Sequence, residues 1–136
     1  MDTLEMNPKS NDANNKKTES AKSAKEIVME YLEALTERRD FESARSYLKD
    51  NISYWSPLNS FDNAEAYLKY NFSLHLPKLD IKKTFSDGDD VCLLYEITLT
   101  KPPATLFASL WAHVDGGKIS SIRVLFDPRP FVQPGR

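Results

Sequence analysis

The chain of 136 residues has one cysteine, two histidines and four glycines. Cys92 alone excludes an intrachain disulfide framework, and two histidines with one cysteine make a zinc cluster improbable, so no metal site is expected. No apolar run approaches the roughly 18 residues needed to cross a bilayer, and no hydrophobic signal region opens the chain, so the expected compartment is the cytoplasm, with no membrane partner. Eighteen basic and twenty acidic side chains leave a net charge of −2, with no field to attract nucleic acid or an anionic membrane. Lys16-Lys17 and Lys82-Lys83 are isolated pairs, far short of a nucleic-acid stripe. No P-loop, GxGxxG, GxSxG, HExxH or paired CxxC occurs. With none of these signatures, no cofactor is expected.

What is present suits one soluble domain: 40% hydrophobic and 11% aromatic residues in a length that supports a real core. Residues 1–21 have few apolar groups and cannot offset the entropy of ordering, so they are expected to be a disordered tail, with the domain spanning 22–136. From Ala24, Ile27, Tyr31, Ala34 and Leu35 recur at helical spacing, with Val28 and Leu32 widening the stripe. Asp40 can cap a second, shorter helix carrying Phe41, Ala44, Tyr47 and Leu48. A short β-prone stretch, residues 51–57, stops at Pro57. Asp62 or Asn63 caps a third helix whose Ala66, Tyr67, Tyr70 and Leu74 share a face, closed by Pro77.

Four strands follow. They are Leu79–Phe85, Val91–Thr100, Thr105–Val114 and Lys118–Asp127, separated by Ser86-Asp-Gly-Asp, Lys101-Pro-Pro-Ala104 and Asp115-Gly-Gly. Prolines 128, 130 and 134 are expected to end regular structure. Three helices followed by consecutive antiparallel strands read as α+β by segregation.

The tight turns allow a register to be written. A two-residue Gly116-Gly117 loop sets Asp115 opposite Lys118, Trp111 opposite Ile122, Ser109 opposite Val124 and Phe107 opposite Phe126. The preceding loop sets Thr100 opposite Thr105 and Glu96 opposite Ser109. One face then carries Cys92, Leu94, Glu96, Thr98, Phe107, Ser109, Trp111, Ile122, Val124 and Phe126. The other carries Leu93, Tyr95, Ile97, Leu99, Leu106, Ala108, Leu110, Ala112, Arg123, Leu125 and Asp127. A single bulge would exchange parts of these sets. Both faces are too apolar to stay wet, and three helices cannot cover both. The second face is therefore expected to meet another subunit in a homodimer.

The stretch IVMEYLEALTERRDFESARSYLKDNISYWSP, a helix, and then GKISSIRVLFDPRPF resembles the NTF2-like superfamily, nearest to the SnoaL-like polyketide cyclases and the ketosteroid isomerases. The resemblance spans about Ala24 to Phe131. It implies a cone: a curved antiparallel sheet wrapped around three N-terminal helices, with a deep apolar pocket for a small apolar metabolite. Residue by residue, the isomerase oxyanion tyrosine falls on Tyr31. The base aspartate before proline falls on Ser56, before Pro57, and the second oxyanion donor falls near Ser109. Two of the three chemical groups are thus absent, and a serine without an adjacent base cannot abstract an α-proton at neutral pH.

Other candidates remain for acid/base work. Glu96, amid branched residues, would have a raised pKa if held inside the cone. Asp127 beside Arg129 and His75 at the end of the third helix are alternatives. Each has a structural reading: Glu96 paired with a lysine at a sheet edge, Asp127 setting the Pro128 turn, His75 complementing a helix end. Trp55, Phe72, Phe107, Trp111 and Phe126 are candidate pocket wall, and Cys92 a buried small hydrophobe. Two functions compete. One is a cofactor-free isomerase, cyclase or dehydratase using Glu96, Tyr31 and Asp127. The other is a non-catalytic module that binds a ligand or a protein. A chain beginning at Lys22 should melt within about 3 °C of the full chain by circular dichroism; a larger drop would mean that residues 1–21 pack on the domain.

Overall fold

The structure is a computed structural model that describes residues 22–74, 77–100 and 103–132. The expected tail therefore lies outside the described residues, as does His75. Helix α1 (Ala24–Thr36) starts at a capping box in which the Ser23 side chain accepts from the Glu26 amide and Glu26 accepts from the Ser23 amide. Its Ile27, Val28, Tyr31, Leu32, Ala34 and Leu35 are buried, the stripe that the spacing predicts. Asp40 caps α2 (Phe41–Ser46) by accepting from the Ser43 amide. That helix ends before Leu48, which instead opens β1 (Leu48–Trp55), because the Tyr47 carbonyl accepts a sheet hydrogen bond from Ile119.

A two-residue strand β2 (Ser60–Phe61), which the sequence does not signal, returns along β1. Asn63 caps α3 (Ala64–Ser73), which stops short of Pro77. Strands β3 (Asp80–Asp87), β4 (Asp90–Thr100), β5 (Pro103–Asp115) and β6 (Lys118–Leu125) follow, and a four-residue helix α4 (Arg129–Val132) forms where prolines were expected to end regular structure. Pro128 immediately precedes α4, where a missing amide costs nothing, and its carbonyl accepts from Phe131 and Val132. No helix among the described residues is long and apolar enough to cross a membrane.

The six strands form one curved, open sheet in the order β2-β1-β6-β5-β4-β3, so the architecture is the expected α+β. Neighbours are antiparallel except β1 and β6, which run parallel. Gly116 and Gly117 both have positive φ, 62° and 84°, as a two-residue hairpin loop requires, and Asp115 does oppose Lys118.

Beyond that turn the register departs from expectation. Val114 pairs Ile119 but His113 pairs Ser121, so Ser120 is an extra residue, and its hydroxyl donates to the His113 carbonyl at 3.2 Å. This bulge slides β6 by one. Trp111 now opposes Arg123 and not Ile122, and Ser109 opposes Leu125 and not Val124. Between β4 and β5 the register slips by two, with Glu96 opposite Phe107 and Thr100 opposite Pro103, which leaves the face of each residue unchanged.

The face toward the helices is the second of the two expected sets, corrected by the bulge. Leu93, Tyr95, Ala108, Leu110 and Ala112 join Ile122 and Val124 in the core with α1 and α3. Cys92, Leu94, Glu96, Phe107, Ser109 and Trp111, with Arg123 and Leu125, turn to the outer face. The expected dimer face is thus the core, and part of the expected pocket wall is outside. Leu93 is fully buried, so Leu93→Lys should unfold the protein and leave no soluble monomer, and Leu93→Ala should cost about 2–5 kcal/mol in a denaturant melt. A folded Leu93→Lys monomer would reverse this assignment of faces.

Candidate functional site

The sheet does not close on its helices. Between them lies a cavity of about 280 Å³, bounded by α1, α3, the inner face of β4–β6 and Phe131 of α4. Its size is just below the range of small-molecule sites, roughly 300–1,000 Å³. Aliphatic and aromatic groups dominate the wall, among them Leu32, Leu35, Ile97, Leu106 and Phe126. The polar lining consists of Thr36, Tyr54, Ser56, Tyr67, Tyr70, Asn71 and Tyr95, with no carboxylate, imidazole, ammonium or guanidinium among the described lining residues.

The polar end of the cavity is built by two helices facing one strand. Tyr31, on the buried stripe of α1, is behind the wall; its hydroxyl donates to the Tyr67 hydroxyl at 2.7 Å. With its oxygen accepting from Tyr31, Tyr67 keeps its own proton to offer to the cavity. The Tyr54 and Tyr67 rings are 4.5 Å apart between centroids. Asn71 is one turn along α3 from Tyr67; its amide donates to the Tyr67 carbonyl at 3.2 Å and leaves its oxygen without a donor among the described residues. Burial holds the hydroxyls of Tyr31, Tyr67 and Tyr95 above the usual tyrosine range, since none has a cation to stabilise a phenolate. All three are neutral donors at physiological pH.

Arg39 joins the two helices beside the cavity. It has a positive φ of 53°, a strained conformation for a residue with a side chain. Its guanidinium donates to the carbonyls of Leu35, Phe72 and Leu74 and lies 4.6 Å from the Phe72 ring centroid. One side chain thus ties the end of α1 to the end of α3.

The candidates from the sequence scatter around this cavity. Ser56 and Phe126 line it, although the Ser56 hydroxyl is engaged by the Leu58 and Asn59 amides in the turn after β1. Tyr31 reaches it only through Tyr67. Phe72 packs on Phe41 and Arg39 and does not line it. Glu96 is on the outer face, 4.0 Å from the Lys82 ammonium. Asp127 is beyond the end of β6, where both carboxylate oxygens take Arg129 and hold the carboxyl below its usual range, opposite in direction from what a general acid needs.

Trp55, Phe107 and Trp111 are 41%, 59% and 47% exposed on the outer face, with Ser109, and Cys92 there is only partly buried. Tyr54, Tyr67, Asn71 and Tyr95 are the wall residues that a motif search passes over. For Tyr67 and Tyr95 the signal is membership of an apolar helix face and of a strand face; Tyr54 and Asn71 belong to neither set. Among the described residues no group of three histidine, cysteine, aspartate or glutamate side chains is placed to hold a metal ion.

Comparison with known proteins separates fold from function. No family profile matches the chain, and no curated protein sequence does. Solved structures do. An NTF2-like protein of unknown function from Cytophaga hutchinsonii superposes with a TM-score of 0.76 at 28% identity, over 85% of this chain and 100% of that one. The fold is NTF2-like. A candidate ketosteroid isomerase from Kribbella flavida has a TM-score of 0.69 at 18% identity, over 76% of this chain and 77% of that one. A candidate SnoaL-like polyketide cyclase from Jannaschia has a TM-score of 0.65 at 13% identity, over 76% and 85%. At such identities these NTF2-like neighbours share architecture, and activity has to be argued from the cavity itself.

The tyrosines make the site sensitive to alkali. A hydroxyl whose folded pKa is raised keeps in the folded state a proton that the unfolded chain releases near pH 10, so the stability it supports is intact below about pH 10 and drains as pH rises above it. Tyr31, Tyr67 and Tyr95 should therefore ionise only as the protein unfolds, giving a cooperative rise in phenolate absorbance coincident with loss of ellipticity. Gradual ionisation of more than three of the six tyrosines while the fold is intact would show these hydroxyls to be solvent-accessible.

Proposed function

We propose that this NTF2-like protein is a cytoplasmic homodimer that binds a small, neutral, largely apolar metabolite carrying a hydrogen-bond-accepting oxygen. The observation that carries the reading is the wall of the cavity: apolar on most sides, with uncharged tyrosine and asparagine donors gathered at one end. An ionised ligand would lose its hydration there without gaining a counter-charge from the described lining residues, a cost of several kcal/mol. A carbonyl, hydroxyl or ether oxygen, by contrast, meets the proton of Tyr67 and the neighbouring Tyr95 hydroxyl. Binding is favoured over turnover because acid/base chemistry needs a group that titrates near neutrality within reach of the ligand. Glu96 and Asp127 are outside the described wall. The alternative, a cofactor-free isomerase, cyclase or dehydratase, draws on the Tyr31–Tyr67 pair as an oxyanion donor and requires a base from elsewhere.

Self-association is supported by the outer face of the sheet. Trp55, Phe85, Phe107, Trp111 and Leu125 are each between 41% and 59% exposed there, a set of large apolar side chains on one face of the kind that meets a partner.

Two fluorescent probes test the cavity. Neutral N-phenyl-1-naphthylamine should bind with micromolar affinity, and anionic 1-anilinonaphthalene-8-sulfonate at least tenfold more weakly. Ala108→Phe, which fills the cavity from β5, should abolish binding of the neutral probe while circular dichroism shows an intact fold. Tyr67→Phe should weaken a ketone competitor about five- to tenfold. Equal affinity for both probes, or binding indifferent to Ala108→Phe, would refute this site.

A further inference from the structure

A single row of side chains crosses the outer face. Cross-strand registers place Trp55 on β1, Arg123 on β6, Trp111 on β5, Cys92 on β4 and Phe85 on β3 directly beside one another. The Arg123 guanidinium is 6.0 Å from the Trp55 ring centroid, so Arg123 stands between two indoles. Among the described residues it has no carboxylate within ion-pair distance.

On the other side of β5, Asp90 opens β4. Its Oδ1 accepts from the Trp111 indole at 2.8 Å and lies 2.9 Å from His113 Nδ1, while Oδ2 has no partner among the described residues. These two contacts hold the Asp90 carboxyl below its usual range, so it is charged at neutral pH. A cation and an anion, each with unused bonding capacity, thus flank Trp111 on opposite neighbouring strands.

In an interface with two-fold symmetry, residue i of one copy meets residue j of the other and j meets i. A face can satisfy that rule electrostatically only if its unlike charges straddle the axis. Arg123 and Asp90 do so about β5, which with β6 is the middle of the sheet order and so the part of a curved sheet's outer face that a second curved sheet reaches first. A two-fold axis along β5 near Trp111 exchanges the β6 side with the β4 side. The five half-exposed large side chains offer on the order of 500 Å² of apolar surface, the larger part of the roughly 800 Å² per partner of a standard interface.

We propose that a second copy of this chain docks on the outer face with its axis along β5, Trp111 against the partner's Trp111, and Arg123 of each copy paired with Asp90 of the other. This rests on the homodimer reading above and adds its register and its specificity: like charges exclude registers in which β6 lies over β6.

The test uses the full chain at pH 8 and low salt, with sedimentation over a dilution series. The wild type should be a dimer. Arg123→Glu sets a second carboxylate against Asp90 at two symmetric points and should weaken association at least tenfold; Asp90→Lys sets an ammonium against Arg123 and should do the same. An equimolar mixture of the two variants restores unlike charge at both points, and should sediment as a heterodimer with near wild-type affinity. A wild type that is monomeric at about 100 µM overturns the homodimer reading and this pairing with it. A dimeric wild type whose variants associate normally, or whose mixture fails to recover, overturns the pairing alone. If Asp90→Lys disturbs the fold, the cycle of Asp90→Asn, Arg123→Gln and their double variant replaces it. Additive losses of affinity in that cycle would overturn the pairing, and a double variant no weaker than either single one would support it.

Discussion

The bulge at Ser120 is the constraint on which the rest of the molecule depends. Side chains alternate along a strand with a period of two, so one extra residue moves every later side chain to the opposite face. Because β6 gains that residue between Ile119 and Ser121, Ile122 and Val124 enter the core while Arg123 and Leu125 leave it. The cavity wall at Val124 and Phe126 and the outer row at Arg123 are consequences of the same insertion. Strand β1, on the other side of β6, has an irregularity at the same level, where the span from Leu48 to Ser53 lies opposite the shorter span from Ile119 to Ser121.

A second organising feature is how the interior handles polarity. Ion pairs among the described residues are near the surface, as with Arg45 to Asp50 and Glu65, or Lys49 to Asp115, where each contributes little. Inside, hydroxyls and one amide replace charges. The Tyr31–Tyr67 bond joins α1 to α3, Asn71 bonds back to its own helix, and Arg39 joins the C-terminal ends of α1 and α3 through three carbonyls. The helices that bound the cavity are tied together at two points, and the polar groups on its described wall are uncharged.

Local features could be read from the sequence wherever the physics is local. The cap at Asp40, the choice of Asp62 or Asn63 as the next cap, the apolar stripe of α1 and the double-glycine hairpin all depend on residues within four positions of one another. The α+β order and the resemblance to NTF2-like proteins came from the same level. What was misread depended on distant partners. Leu48 has helical neighbours but joins β1 through Tyr47 and Ile119; β2 exists only because β1 is beside it; α4 gathers around Phe126, whose ring meets Phe131 edge-on at 5.7 Å.

The sequence by itself determined the first three helices, the double-glycine turn, the alternation within each strand and the absence of nucleotide and zinc motifs, because spacing and composition act over a few residues. Tertiary structure decided which side of the sheet is inside. Both faces of β4 and β5 are apolar enough to be buried, so hydrophobicity alone could not choose between Leu93 with Tyr95 and Cys92 with Glu96. The choice came from where α1 and α3 pack, and the β6 bulge sorted Arg123 from Val124. That is why Tyr67, Asn71 and Tyr95 line the cavity while Glu96, Ser109 and Trp111 look outward.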